Sequence, residues 1–146
     1  MIAPQIKQAI EDAVATEPFA RRMGIDLAGL DDGYSLVAMT YDPDRMANIY
    51  RRAHGGAIYA LIDEAFETAG QTDGTIAVAL NVTVTYIASP QPGQRLEAEA
   101  RRVSQTKQTA LYAITVRSDT GTLIASCQAL AFRTGKPIPF LPDHAG

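Results

Sequence analysis

Residues 48–70, "NIYRRAHGGAIYALIDEAFETAG", decide the fold. From Gly55 to Gly70 the apolar residues Ile58, Leu61, Ile62, Ala65 and Ala69 recur at three- and four-residue steps. That spacing predicts one buried face of an α-helix, with Gly70 as its expected C-cap. Two features depart from a plain core helix. It opens on His54-Gly55-Gly56, although glycine weakens a helix by about 1 kcal/mol relative to alanine. It also carries a carboxylate, Asp63, in its middle. At about 100° per residue, Asp63 lies ~120° from the centre of the apolar stripe, on a flank of the helix. Glu67 points nearly away from the stripe, and Glu64 takes the opposite flank as a competing carboxylate.

Before this helix the chain reads as a shorter helix and a hairpin. Ile6, Ile10 and Ala13 recur at helical spacing from Pro4 to about Thr16, with proline near the first turn. "GIDLAGL" (24–30) and "YSLVAMTY" (34–41) flank Asp31-Asp32-Gly33, and Asp-Gly between apolar runs signals a hairpin. A polar loop containing Pro43 leads to the long helix. After it the period changes to two. In "AVALNVTVTYI", Val78, Leu80, Val82, Val84 and Tyr86 are expected on one face, and Ala79, Asn81, Thr83 and Thr85 on the other. Pro90, Pro92 and Gly93 make a turn. "RLEAEARRV" follows, with Leu96, Ala98 and Ala100 on one face. "ALYAITVRS" and "TLIASCQALAFRT" are joined at Asp119-Thr120-Gly121. The tail, about 135–146, is expected to be extended over the surface or disordered. One long helix must bury its stripe against a curved antiparallel sheet, an α+β arrangement. That architecture is the hot-dog fold, expected to span residues 1–146 as one domain. Its open sheet edges favour association between copies.

Composition narrows the function. The 146 residues are 47% hydrophobic and 20% charged with a net charge of −3, so no basic field argues for nucleic acid. The single cysteine, Cys127, makes neither an internal disulfide nor a Cys-rich zinc site, and its strand-like surroundings predict a buried structural thiol. No metal site is expected. The first twenty residues include acidic side chains and no long apolar run, unlike a signal peptide. No stretch reaches the ~18 apolar residues of a membrane helix. A cytoplasmic protein is the expectation.

The first turn of a helix offers unpaired N–H groups and a partial positive charge, and glycine lets a ligand approach them closely. A substrate carbonyl aimed at the Gly55 N–H would be polarised, and the oxyanion formed on attack stabilised. Asp63 has the chemistry of a general base or a nucleophile. The two residues are eight positions apart, so along one helix they are separated by ~12 Å. A site that uses both takes Gly55 from one subunit and Asp63 from another. Taken singly, each residue has an ordinary structural role as well: a solvated Asp, a loop-binding His54, a turn-forming Asn48, and a Gly56 kept for close packing.

Asn48, His54-Gly55-Gly56 and Asp63, followed by "TYIASPQPGQRLEAEA" and "DTGTLIASCQALAF", resemble the PaaI-like branch of hot-dog acyl-CoA thioesterases over roughly residues 24–134. The resemblance implies a composite active site across a dimer, with Asp63 as the catalytic acid residue and Gly55 at the carbonyl. It also implies that His54 shapes the site near the thioester and that Asn48 orients water or substrate. Some relatives carry a Ser or Thr in the strand after the helix; alignment on "TYI" puts Ala79 there, with Asn81 and Thr83 as possible substitutes. The acyl group would lie in an apolar tunnel near Tyr59, Phe66, Val82 and Val84, although core packing is the commoner use of such positions. Arg51, Arg52, Arg101, Arg102 and Lys107 are the candidate cations for coenzyme A phosphates. The expected protein is an acyl-CoA thioesterase for an aryl or medium-chain substrate. It would need no cofactor beyond the coenzyme A of the substrate, and would work as a homodimer or dimer of dimers with no nucleic-acid or membrane partner. The alternatives are a non-catalytic acyl-CoA-binding protein and a hot-dog hydratase or dehydratase.

Overall fold

A computed structural model of the chain describes residues 1–142. The helices are α1 (Pro4–Thr16), α2 (Pro18–Met23), α3 (Pro43–Met46) and α4 (Gly55–Gly70). The strands are β1 (Asp26–Asp31), β2 (Tyr34–Thr40), β3 (Thr75–Tyr86), β4 (Arg95–Gln105), β5 (Thr109–Ser118) and β6 (Leu123–Pro137). They form one antiparallel sheet in the order β1-β2-β4-β5-β6-β3. The sheet wraps around α4, which is the hot-dog fold.

The helix α4 sits in the sheet because both surfaces are patterned for it. Its stripe, Ile58, Leu61, Ile62, Ala65 and Ala69, is buried throughout. Opposite lie Val37 and Met39 of β2, Leu96, Ala98 and Ala100 of β4, and Tyr112, Ile114 and Val116 of β5. The two β4 alanines have no exposure and carry small side chains, which lets the helix approach the strand closely. A smaller apolar cluster joins α1 to the far side through Ile2, Ile10, Val14, Leu30 and Ile138. The β1–β2 turn is pinned at Gly33, where φ is +64° and a Cβ would lie 2.8 Å from Arg102, so only glycine fits without displacement.

The two long helices have the boundaries expected from the sequence, and the two hairpins turn at the expected residues. Four expectations need correction. Gly70 is the last helical residue and not the cap; the C-cap of α4 is Gln71, with φ −112°, and the left-handed glycine after it is Gly74, at the entry to β3. The β3 face is broken by a bulge between Ala79 and Asn81. Ala79 pairs with buried Ala131 and Val82 with buried Ala129, so the two share the inner face of the sheet across one extra residue, although Ala79 itself is exposed. Val78 and Leu80 are therefore exposed and do not share the face of Val82 and Val84. Asn81 and Thr83 face away from the helix, opposite to Ala79. Finally, residues 135–137 of the expected tail continue β6, and Ile138 is buried. Residues 143–146 lie outside the described residues. Helix α3 lies in the stretch expected to be a polar loop, and α2 falls between the expected first helix and the hairpin; both begin at proline in the first turn, a signal too short to stand out alone.

Candidate active site

His54 is the N-cap of α4, and its Nδ1 accepts a hydrogen bond from the Gly56 N–H at 2.8 Å. That bond fixes the imidazole with its proton on Nε2, facing outward. Ala57 and Ile58 donate their N–H groups to the His54 carbonyl. Of the first-turn amides, the Gly55 N–H alone has no acceptor among the described residues. Loop and cap leave one donor at the positive end of a sixteen-residue helix.

The surroundings of that donor form a cavity of about 390 Å³, lined by Asn48, Arg52, Gly55, Tyr86 and Ser89 among others. The Asn48 Oδ1 accepts from the N–H groups of Tyr50 and Arg52, at 2.9 and 3.1 Å. These bonds assign the amide orientation and direct its NH2 group away from the turn. Turn chemistry and a substrate-facing role are thus compatible in Asn48. Arg51 adopts φ +60° in this turn, and Arg51 and Arg52 are both exposed.

Tyr86 is a site residue that sequence reasoning passed over. Its hydroxyl donates to the Gly55 carbonyl at 3.1 Å, and a Cβ at position 55 would lie 3.3 Å from its ring. Its place on the inward face of β3, in step with Val82 and Val84, was the available signal. The ring packs over the backbone of Gly55, a close approach that explains a glycine there.

Asp63 is exposed on the flank of α4 and has no hydrogen bond or ion pair among the described residues. Burial of part of the side chain, and then the neighbouring Glu17, raise its pKa from the ordinary 3.8. Tyr59, one turn earlier, has its pKa raised by burial and by Asp63, with Cys127 and Tyr86 also nearby. Cys127 is buried, as expected, and its thiol is pushed up to about 11 by burial and by Asp63.

The remaining candidates separate from this group. Phe66, expected along the acyl tunnel, is buried and meets Tyr112 edge to face at 5.6 Å, so it packs the core. Arg102 makes two bonds to Asp32, and Arg101 pairs with Glu99 while stacking on Tyr34 at 4.7 Å. Both arginines lie near the C-terminal end of α4, since Gly33, which accepts from the Arg102 amide, also donates to Thr72. Lys107 is exposed on the β4–β5 turn. The Thr83 hydroxyl donates to Asn81 Oδ1 on the outer face of the sheet. Gly56 would place a Cβ 3.0 Å from His54 Nδ1, so it serves the cap. Glu64, read as a flank carboxylate, is instead 2% exposed, with burial, Glu17 and Glu67 pushing its pKa to about 9. The α1–α2 connection covers that flank, a long-range contact that helical spacing cannot register.

A sheet wrapped on one helix, with an open amide at the helix start and an unpaired carboxylate two turns on, defines a hot-dog protein of the thioesterase type. The chain belongs to the thioesterase superfamily, whose model matches residues 50–125, and to its PaaI-like branch. It is 32% identical to acyl-coenzyme A thioesterase PaaI of Escherichia coli over 119 residues, 82% of this chain and 84% of that protein. The structure of E. coli PaaI superposes with a TM-score of 0.88 at 28% identity, covering 94% of this chain and 99% of that one. A variant of PaaI from Thermus thermophilus matches at TM-score 0.76 and 36% identity, over 80% and 99% of the two chains. A Streptococcus mutans protein bound to acetyl CoA matches at 0.74 and 27%, over 78% and 91%. No helix among the described residues is long and apolar enough to cross a membrane.

Proposed function

We propose that this protein hydrolyses acyl-CoA thioesters to a carboxylate and free coenzyme A. The observation that carries the reading is the Gly55 N–H, a lone unsatisfied donor at a helix N-terminus beside a cavity. The thioester carbonyl oxygen accepts from it, so charge developing on that oxygen meets a preorganised donor. Asp63 activates water as a general base or attacks the carbonyl carbon as a nucleophile. The naming of E. coli PaaI as an acyl-coenzyme A thioesterase and the acetyl CoA held by the S. mutans protein support this substrate class.

Asp63 acts on the carbonyl held by a partner's Gly55, because ~12 Å of helix rise separates the two residues within one chain. Support for a dimer comes from β3, a twelve-residue strand that pairs with β6 and has its other edge open. Exposed Leu80, Tyr86 and Ile87 lie on or beside it. Pairing of two such edges would bring two α4 helices side by side. Asn48 and the Nε2–H of His54 orient substrate or water, and Arg52, which lines the cavity, with its exposed neighbour Arg51, is better placed for coenzyme A phosphates than the paired Arg101 and Arg102. A hydratase is disfavoured because the Nδ1 of His54 is occupied in capping the helix.

The test is release of free thiol from a panel of aryl- and straight-chain acyl-CoAs. Wild type should turn over at least one class, and Asp63→Ala should lose most of that activity while keeping its melting temperature. Wild-type rates in Asp63→Ala would refute the assignment of Asp63, and binding without thiol release across the panel would favour a non-catalytic acyl-CoA-binding protein.

A further inference from the structure

On the flank of α4 covered by the α1–α2 connection, Glu17, Glu64 and Glu67 bring one carboxylate oxygen each to within 4.8 Å of one another. Acidic groups often cluster on surfaces without consequence, but Glu64 is not on the surface. It is 2% exposed, and its Oε1 is buried with no hydrogen-bond partner. A buried carboxylate oxygen without a donor is strongly unfavourable and calls for a compensating charge or proton. No ion pair to a Lys, Arg or His is formed by any of the three among the described residues. The charged groups that act on Glu64 are Glu17 across the connection and Glu67 and Asp63 on its own helix, all acidic.

We propose that Glu17, Glu64 and Glu67 form a binding site for a hard divalent cation, which ties the α1–α2 connection to the middle of α4. The donor set is all oxygen, the preference of calcium, magnesium and manganese rather than zinc or copper. Three oxygens within 4.8 Å of one another can draw in around one ion, and calcium, with its long bonds of about 2.3–2.6 Å and flexible geometry, asks for less movement than magnesium at about 2.1 Å. Access is open: Glu17 and Glu67 line a cavity of about 360 Å³ with Thr16, Thr68 and Gln71. Waters in that cavity complete the six to eight oxygens that calcium takes.

The experiment uses the full chain, stripped with chelator, and reads binding rather than catalysis, so it stands apart from the thiol-release assay. Calorimetric titration with calcium chloride at pH 7.5 should give one site per chain, and saturating calcium should raise the melting temperature by about 5 °C. Glu64→Gln, and independently the exposed Glu67→Gln, should each abolish the rise, while Asp63→Ala should keep it. Absence of any calcium response in the wild type overturns the proposal, as does a response that persists in both glutamine variants.

Discussion

At the scale of the residue, the proposed role of Gly55 rests on a group every residue but proline has, its backbone N–H. That makes it separable from the side chain. Gly55 is the first helical residue, and His54 before it has φ −65° and ψ 133°, a conformation that proline tolerates in its predecessor. Gly55→Pro therefore removes the N–H and leaves the helix start intact. Gly55→Ala keeps the N–H and adds the same Cβ against the ring of Tyr86, where the contact is 3.3 Å. The expected result is a fall in kcat of about 100- to 1,000-fold for proline and a much smaller fall for alanine, measured by thiol release. Equal losses would assign the effect to crowding of Tyr86. Asp63 adds a pH signature. Its pKa is raised from 3.8 by burial and by Glu17, and only the ionised form acts as base. The acid limb of kcat/KM should therefore fall at a pH above the ordinary aspartate value, and the limb should vanish with the residual activity of Asp63→Asn.

At the scale of the element, α4 shows which parts of a helix are legible in a sequence. Its ends and its buried stripe follow from local signals: His54 and two glycines at the start, and apolar residues at three- and four-residue steps. Its flanks are set by what packs on them, which local spacing does not record. Glu64 was expected on an open flank and is buried because the α1–α2 connection crosses there. The same limit appears in β3, where one bulged residue turns Val78 outward and parts Asn81 and Thr83 from Ala79. A bulge shifts every position on one side of it, and alternation alone cannot reveal it. The burial of Glu64 has a measurable consequence. Its folded pKa, about 9, exceeds its ordinary 4.5, so the folded chain binds more protons between those values. The contribution of Glu64 to stability is complete below about pH 4.5 and is lost as pH rises toward 9. In chelator, Glu64→Gln should make the chain more stable than wild type at pH 8, on the order of a few kcal/mol, with little difference at pH 4.5. Denaturant unfolding at the two pH values checks this; a glutamine variant less stable at pH 8 would contradict it.

At the scale of the whole molecule, the helix and the sheet edge have to be read together. The fold was legible because α4 is long and strongly patterned and because the strands after it alternate with clear turns at Gly93 and Gly121. The candidate site could be proposed from the sequence as residues but not as a place. Asn48, Arg52, Gly55 and Tyr86 converge at one end of α4, Asp63 and Tyr59 stand along its flank, and Arg101, Arg102 and Lys107 lie toward the other end. In the proposed mechanism one chain holds two halves of a site, and the open edge of β3 offers the means of joining them to a second copy. The claim that each active site takes Gly55 from one subunit and Asp63 from its partner is tested most directly by mixing two inactive variants. Asp63→Ala and Gly55→Pro chains are unfolded together, refolded, and assayed for thiol release. In a heterodimer one site combines the intact Gly55 of the first chain with the intact Asp63 of the second. Random pairing puts half the dimers in that form with one of two sites working, so activity should return to about a quarter of wild type. A mixture no more active than the separately refolded variants, with heterodimers present, would contradict the account.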